Sequence, residues 1–268
     1  MSTASAAIGV FDSGIGGLTV VRELIARLPS EEIIYFGDTA RVPYGPKSPD
    51  TVRRYSREIG DFLRAESVKA VVIACNTATA HALPMLREHL PVPVIGVVEP
   101  GARAAVAATR SGEIGVIGTV GTINSGAYER AIKALAPEAR VDAYACPLFA
   151  PLIEEGWLDT PATRLIACEY LRPLAAARID TLVLGCTHYP LLKPLLAQIL
   201  GPDVCLIDSA AETAAETARV LDQQGRRSPN GRPPQHRFIA SDAPEQFLRL
   251  GQRFLGSTIE RVETLTLG

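Results

Sequence analysis

The sequence predicts an α/β protein made of two pseudo-symmetric domains with mainly parallel sheets and a ligand cleft between them. Short β-rich segments alternate with helical patterns over most of the 268 residues, the rhythm that crossovers between parallel strands produce. The chain also repeats itself approximately. IGVFDSGIGG from Ile8 resembles IGVIGTVGT from Ile114, 106 positions later, and Cys75 in VIACNTATA is answered by Cys186 in LVLGCTHYP, 111 positions later. Two signals at nearly one offset point to two related halves. Open α/β sheets bind ligands beyond the carboxyl ends of their strands, so halves packed face to face would bring both sets of strand tips to one crevice. The expected division puts residues 1–98 plus 208–268 in the first domain, with Asp12 and Cys75, and 99–207 in the second, with Cys186 and His188.

In chain order, strands are expected at Ile8–Phe11, Ile33–Phe36, Ala70–Ala74, Val94–Val97, Ile114–Ile117, Val141–Tyr144, Thr181–Leu184 and Cys205–Ile207, each a short β-rich run ended by polar or turn residues. Between the first two, Leu18, Val21, Ile25 and Leu28 recur at helical spacing. Ser48 followed by Pro49 reads as an N-cap and first helical residue, opening a helix whose apolar side includes Val52, Ile59, Phe62 and Leu63. Gly225–His236 is polar and turn-rich and reads as a surface loop, with helical and strand-like pieces after it.

Composition narrows the function classes. The 27 basic and 29 acidic side chains leave a formal charge of -2, so no electrostatic excess advertises nucleic acid or an anionic membrane, and small-molecule chemistry is the better expectation. MSTASAAIG has no basic region followed by a long apolar segment, and later apolar runs are broken well before membrane-spanning length, so a cytoplasmic location is expected. Five scattered cysteines are an odd number and a poor disulfide framework. There is no CxxC or HExxH, and Cys186 with His188 is one residue short of familiar zinc spacing, so no metal site is expected.

The ordinary role of a cysteine is that of a small buried hydrophobe, and Cys146, Cys168 and Cys205 are read that way. Cys75 and Cys186 differ. Each follows a β-run where the chain turns toward a helix, and each is followed by hydrogen-bonding side chains, Asn76 and Thr77 or Thr187 and His188. Backbone N–H groups at a helix start can lower a thiol's pKa or hold a substrate carboxylate. DSGIGG, Asp12–Gly17, misses the dinucleotide fingerprint because Thr19 stands at the last glycine position, and no GK[ST] makes it a phosphate loop. Asp12 and Ser13 are therefore read as site residues at a strand tip. GDTARVPYG offers Tyr44 and Gly45 from the loop after the second strand. Glu154 alone would pass for a solvated helix carboxylate. His188 shares a strand tip with a thiol and can exchange a proton near neutral pH.

FDSGIGGLTV, YFGDTARVPYG, VIACNTATA, VIGTVGT and LGCTHYP, in this order and spacing, resemble the glutamate racemases of the aspartate/glutamate racemase superfamily, from about Ile8 to Asp208. The resemblance implies two α/β domains, interconversion of L- and D-glutamate with no cofactor, supply of D-glutamate for peptidoglycan, and a homodimer. Matched by position, it makes Cys75 and Cys186 the catalytic thiols, Asp12 and His188 their acid/base partners, and Glu154, in a family-like position near the second thiol, a further catalytic residue. Asp12, Ser13, Tyr44, Gly45, Asn76, Thr77, Thr187 and His188 match the substrate-binding set, with Thr119 and Thr122 as weaker additions. Racemisation removes a proton from one face of a carbon and returns one to the other, which suits two opposed groups. A racemase acting on aspartate or a related amino acid is the alternative, since one methylene is worth only about 1–3 kcal/mol of discrimination. A thiol redox sensor or binding protein, in which Cys75 and Cys186 form a disulfide, ranks lower.

Overall fold

The computed structural model describes residues 3–229 and 233–267. Its strands are β1 Ile8–Asp12, β2 Ile33–Gly37, β3 Ala70–Ile73, β4 Val94–Gly96, β5 Glu113–Gly118, β6 Arg140–Ala145, β7 Thr181–Gly185, β8 Cys205–Asp208, β9 Arg237–Ala240 and β10 Glu263–Thr264. The helices are α1 Leu18–Arg27, α2 Pro49–Ala65, α3 Asn76–His89, α4 Val98–Ala108, α5 Val120–Asn124, α6 Ala127–Leu135, α7 Phe149–Glu154, α8 Pro161–Ala176, α9 Lys193–Leu200, α10 Ser209–Gln223 and α11 Pro244–Leu255. All eight expected strands form, with each end within one residue of its expected place.

The strands make two sheets. The first has the order β10-β9-β2-β1-β3-β4 and the second β6-β5-β7-β8, and every pairing is parallel. The order β2-β1-β3-β4 in one sheet recurs as β6-β5-β7-β8 in the other. The sequence repeat is thus a repeat of topology, with β3 and β7, the strands that precede Cys75 and Cys186, in equivalent places. In each sheet the winding reverses at the first strand of the set, so the tips of β1 and β5 are switch points where a crevice opens.

The inner strands read as continuous apolar runs because helices cover both faces, and β1, β2, β3 and β7 are buried throughout. Ser48 caps α2 by accepting from the Thr51 N–H at 3.3 Å, Pro49 takes the first helical position, and Val52, Ile59 and Leu63 are buried, with Phe62 partly so. In α1, Leu18, Val21 and Leu24 are buried, Ile25 is partly buried, and Leu28 packs just past the helix end. Residues 225–229 and 233–236 form no helix or strand, while 230–232 of the expected loop lie outside the described residues. Cys146 is buried as expected, but Cys168 and Cys205 are exposed: one lies on the outer side of α8, the other on the edge strand β8. Among the described residues, no helix is long and apolar enough to cross a membrane.

Candidate active site

The tips of the two sheets meet. Asp12, the last residue of β1, has no exposure. One carboxylate oxygen accepts the Gly14 N–H at 2.8 Å, which folds the glycine turn, and the other accepts the Thr187 hydroxyl at 3.3 Å from the opposite sheet. Thr19, at the start of α1, donates to the Thr187 carbonyl at 3.2 Å. A Cβ on Gly16 would stand 2.4 Å from both His188 Nδ1 and Thr187 Oγ1, so the turn seats directly against the second tip. A second seam joins the loop after β2 to the loop after β5. Gly121 N–H donates to the Gly45 carbonyl at 2.8 Å, and the hydroxyls of Thr77, Thr119 and Thr122 lie within 2.8–3.2 Å of one another.

Cys75 stands where β3 gives way to α3. Its sulfur caps that helix, accepting from Ala78 N–H at 3.4 Å, and lies 3.7 Å from the Ser13 hydroxyl. A lowered pKa at this helix start is not what the structure gives. Burial and the nearby Asp12 carboxylate push the thiol up to about 12, and the bonds from Ala78 and Ser13 only partly offset them. Burial likewise raises Asp12, against the pull of His188 and the turn amides.

Cys186 follows β7, but no α-helix starts there. The chain turns through Thr187 and His188 into a single 3₁₀ turn, Tyr189–Leu192, before α9. An imidazole replaces the helix cap: His188 Nδ1 lies 3.8 Å from Cys186 Sγ, and its Nε2 lies 2.8 Å from Glu154 Oε1 at the end of α7. Burial, the largest single influence on His188, favours its neutral form; Cys186 and Glu154 together outweigh it and raise the imidazole to about 10. Phe254 of α11 packs edge-on to this ring, with centroids 5.1 Å apart. The two thiols are 5% and 7% exposed, so both sulfur-bearing side chains are buried at their strand tips.

The structure therefore collects Asp12, Ser13, Cys75, Asn76, Thr77, Thr119, Thr122, Cys186, Thr187, His188 and Glu154 around the two tips, and Gly45 at the seam. Tyr44 is different: its hydroxyl donates to Asp38 at 2.5 Å, and the side chain is buried. That loop can reach a ligand through backbone, while its phenol holds the loop in shape. Asp38 is not among the residues the sequence pointed to, yet it has no exposure and also accepts from Arg41 at 2.7 Å and Ser241 at 2.9 Å. Its place in GDTARVPYG was visible, but the partner Ser241 lies 203 positions away.

The chain is similar to known proteins over nearly its whole length. The sequence profile described as Asp/Glu/Hydantoin racemase matches residues 8–217. The chain is 56% identical to the glutamate racemase of Syntrophus aciditrophicus over 97% of its own length and 96% of that protein's. It is 55% identical to that of Neisseria meningitidis over 97% of each. It superposes on glutamate racemase isoform RacE1 from Bacillus anthracis with a TM-score of 0.94 at 45% identity, covering 98% of both chains. The glutamate racemase of Francisella tularensis in complex with D-glutamate gives 0.93 at 39% identity, again over 98% of both chains.

Proposed function

The chain belongs to the Asp/Glu/Hydantoin racemase family, and we propose that it interconverts L- and D-glutamate by two-thiol proton transfer at the α-carbon, with no cofactor. The relatives are glutamate racemases over nearly their whole length, one of them solved with D-glutamate. The observation that carries the mechanism is the pair of buried cysteines at equivalent strand tips of two repeated sheets, each beside its own acid/base group.

Cys75 holds its proton at neutral pH because its pKa is raised to about 12, so it serves first as the acid. A turnover then starts with proton removal on the Cys186 face, where the raised His188 stands beside the sulfur. In the opposite direction Asp12 takes the Cys75 proton, His188 gives its proton to Cys186, and the roles exchange. The carbanion that develops between the faces needs fixed donors in a dry site. The threonine cluster and the backbone N–H groups at the start of α3 supply them, and the same donors hold the substrate's α-carboxylate. Ser13, Asn76, Thr187 and the Tyr44–Gly45 backbone complete the pocket. The product supplies D-glutamate for peptidoglycan, and we take the working form to be a cytoplasmic homodimer.

The test is incubation with L-glutamate in deuterated water, following optical rotation and α-deuterium together, with aspartate in parallel. Rotation should decay to zero for glutamate while deuterium enters the α-position, and Cys75→Ala or Cys186→Ala should abolish the decay. Near-full racemisation by either variant in both directions would end the two-thiol reading, and faster racemisation of aspartate would reassign the substrate.

A further inference from the structure

Tyr128, on α6 beside the second sheet, reaches across to the first. Its hydroxyl accepts the Asn76 side-chain N–H at 2.7 Å, and the side chain of Ser209, at the start of α10, bonds the same oxygen. The ring is 3% exposed. A Cβ on Gly185 would lie 3.0 Å from Tyr128 Cε2, and one on Gly101 would lie 3.3 Å from its hydroxyl. The ring is therefore clamped between the residue before Cys186 and α4. Burial pushes its ionisation up, so the hydroxyl stays neutral.

Asn76 is itself 3% exposed, and its Oδ1 is buried with no hydrogen-bond partner among the described residues. A buried amide oxygen without a partner costs about 1–3 kcal/mol, so such a group signals a missing donor. The two ends of a carboxamide diverge by about 120°, so tying the nitrogen to Tyr128 turns the oxygen away from Tyr128. The substrate's ammonium group is a donor of the right kind, carried by the molecule that lies beside Cys75.

We propose that Tyr128 is a positioning residue: it fixes the Asn76 carboxamide with its oxygen free to accept from the substrate ammonium, and couples that orientation to the second half of the molecule. This rests on the racemase reading. The predicted consequence is weaker substrate binding, with the proton-transfer groups untouched, when the hydroxyl alone is removed.

The experiment is a cycle of Tyr128→Phe, Asn76→Ala and the double variant, with Ile132→Val on the same buried face of α6 as a packing control. Tyr128→Phe should raise KM about tenfold, the factor for one lost hydrogen bond, with kcat within about twofold and an unchanged pH profile. Asn76→Ala should raise KM at least as much, and Tyr128→Phe should add less than about twofold in that background. Ile132→Val should lower Tm without moving KM. Equal effects of Tyr128→Phe with and without Asn76, or a fall in Tm with no change in KM, would overturn the proposal. In the ligand-free protein, the Asn76 side-chain amide resonance should shift in Tyr128→Phe. An unmoved resonance refutes the anchoring even if glutamate proves the wrong substrate.

Discussion

Gly16→Ala tests whether the two halves form one site. The added Cβ would sit 2.4 Å from His188 Nδ1 and Thr187 Oγ1 and 2.6 Å from His188 Cε1, where ordinary contact begins at 3.4 Å. The shortfall is about 1 Å. None of these atoms can yield cheaply, because His188 is bonded to Glu154 and packed on Phe254, and Thr187 is bonded to Asp12. The turn must therefore move off the second tip, carrying Asp12 and Ser13 with it. Misplacing reacting groups by this distance costs on the order of a hundredfold in rate, so kcat/KM should fall about a hundredfold. Overpacking of a tight core typically costs about 1–3 kcal/mol, so the variant should fold but with a lower Tm. Steady-state racemisation by circular dichroism and a thermal melt read both effects. A folded Gly16→Ala variant with kcat/KM within threefold of the parent would refute the packing of this turn against Thr187 and His188 as the source of the site's geometry.

Three further outcomes follow from named contacts. Glu154→Gln removes one of the two influences that raise His188; an NMR titration should show the imidazole midpoint falling, and an unchanged midpoint would remove Glu154 as a cause of the raised pKa. The sign carries into stability. A raised histidine contributes stability that is complete below 6.5 and lost as pH rises toward about 10, so Glu154→Gln should move that loss to lower pH in urea melts. Alkylation of Cys75 by iodoacetamide, read at its own peptide by mass spectrometry, should still climb about tenfold per pH unit between pH 8 and 10, because burial and Asp12 push the thiol up to about 12; a plateau below pH 9 would contradict its burial beside Asp12. Lys69 and Glu31 form a buried ion pair with side chains 0% and 2% exposed, so Lys69→Met should cost about 3–5 kcal/mol in urea unfolding by stranding the carboxylate, and a loss below about 1 kcal/mol would show the site hydrated.

The strands and the paired tips were legible because local rules suffice for them. A short apolar run bounded by Gly, Asn or Asp has few other fates in an α/β chain, and the Ile8/Ile114 and Cys75/Cys186 spacings report the duplicated winding without any contact. What lay beyond those rules depends on distant partners. β9 and β10 extend the first sheet beside β2, but RFIA and ET lie outside the repeated segments, so nothing in the repeat marks them as strands before β2 offers an edge. Tyr44 reads as a phenol for a ligand because nothing near it in the chain claims the hydroxyl; only the fold, which brings Ser241 up to Asp38, buries that carboxylate and claims the phenol. The pKa of Cys75 went the other way from its helix-cap position for a similar reason. The cap is local, whereas the burial and the Asp12 charge that outweigh it come from tertiary packing.

The repeat is also inexact where exactness would be a disadvantage. Two identical thiols in identical surroundings would hold their protons equally, and a racemase must begin each turn with one group able to take a proton and the other able to give one. The fold supplies the difference after duplication has supplied the symmetry. Cys75 keeps the helix N-terminus and gains a carboxylate, which with burial holds its proton on. Cys186 meets a 3₁₀ turn instead and gains an imidazole backed by Glu154. The Asp12–Thr187 bond ties the two environments across the site. The two-thiol proposal thus draws on the departure of the second tip from the first, which gives the two faces of one carbon two unequal groups.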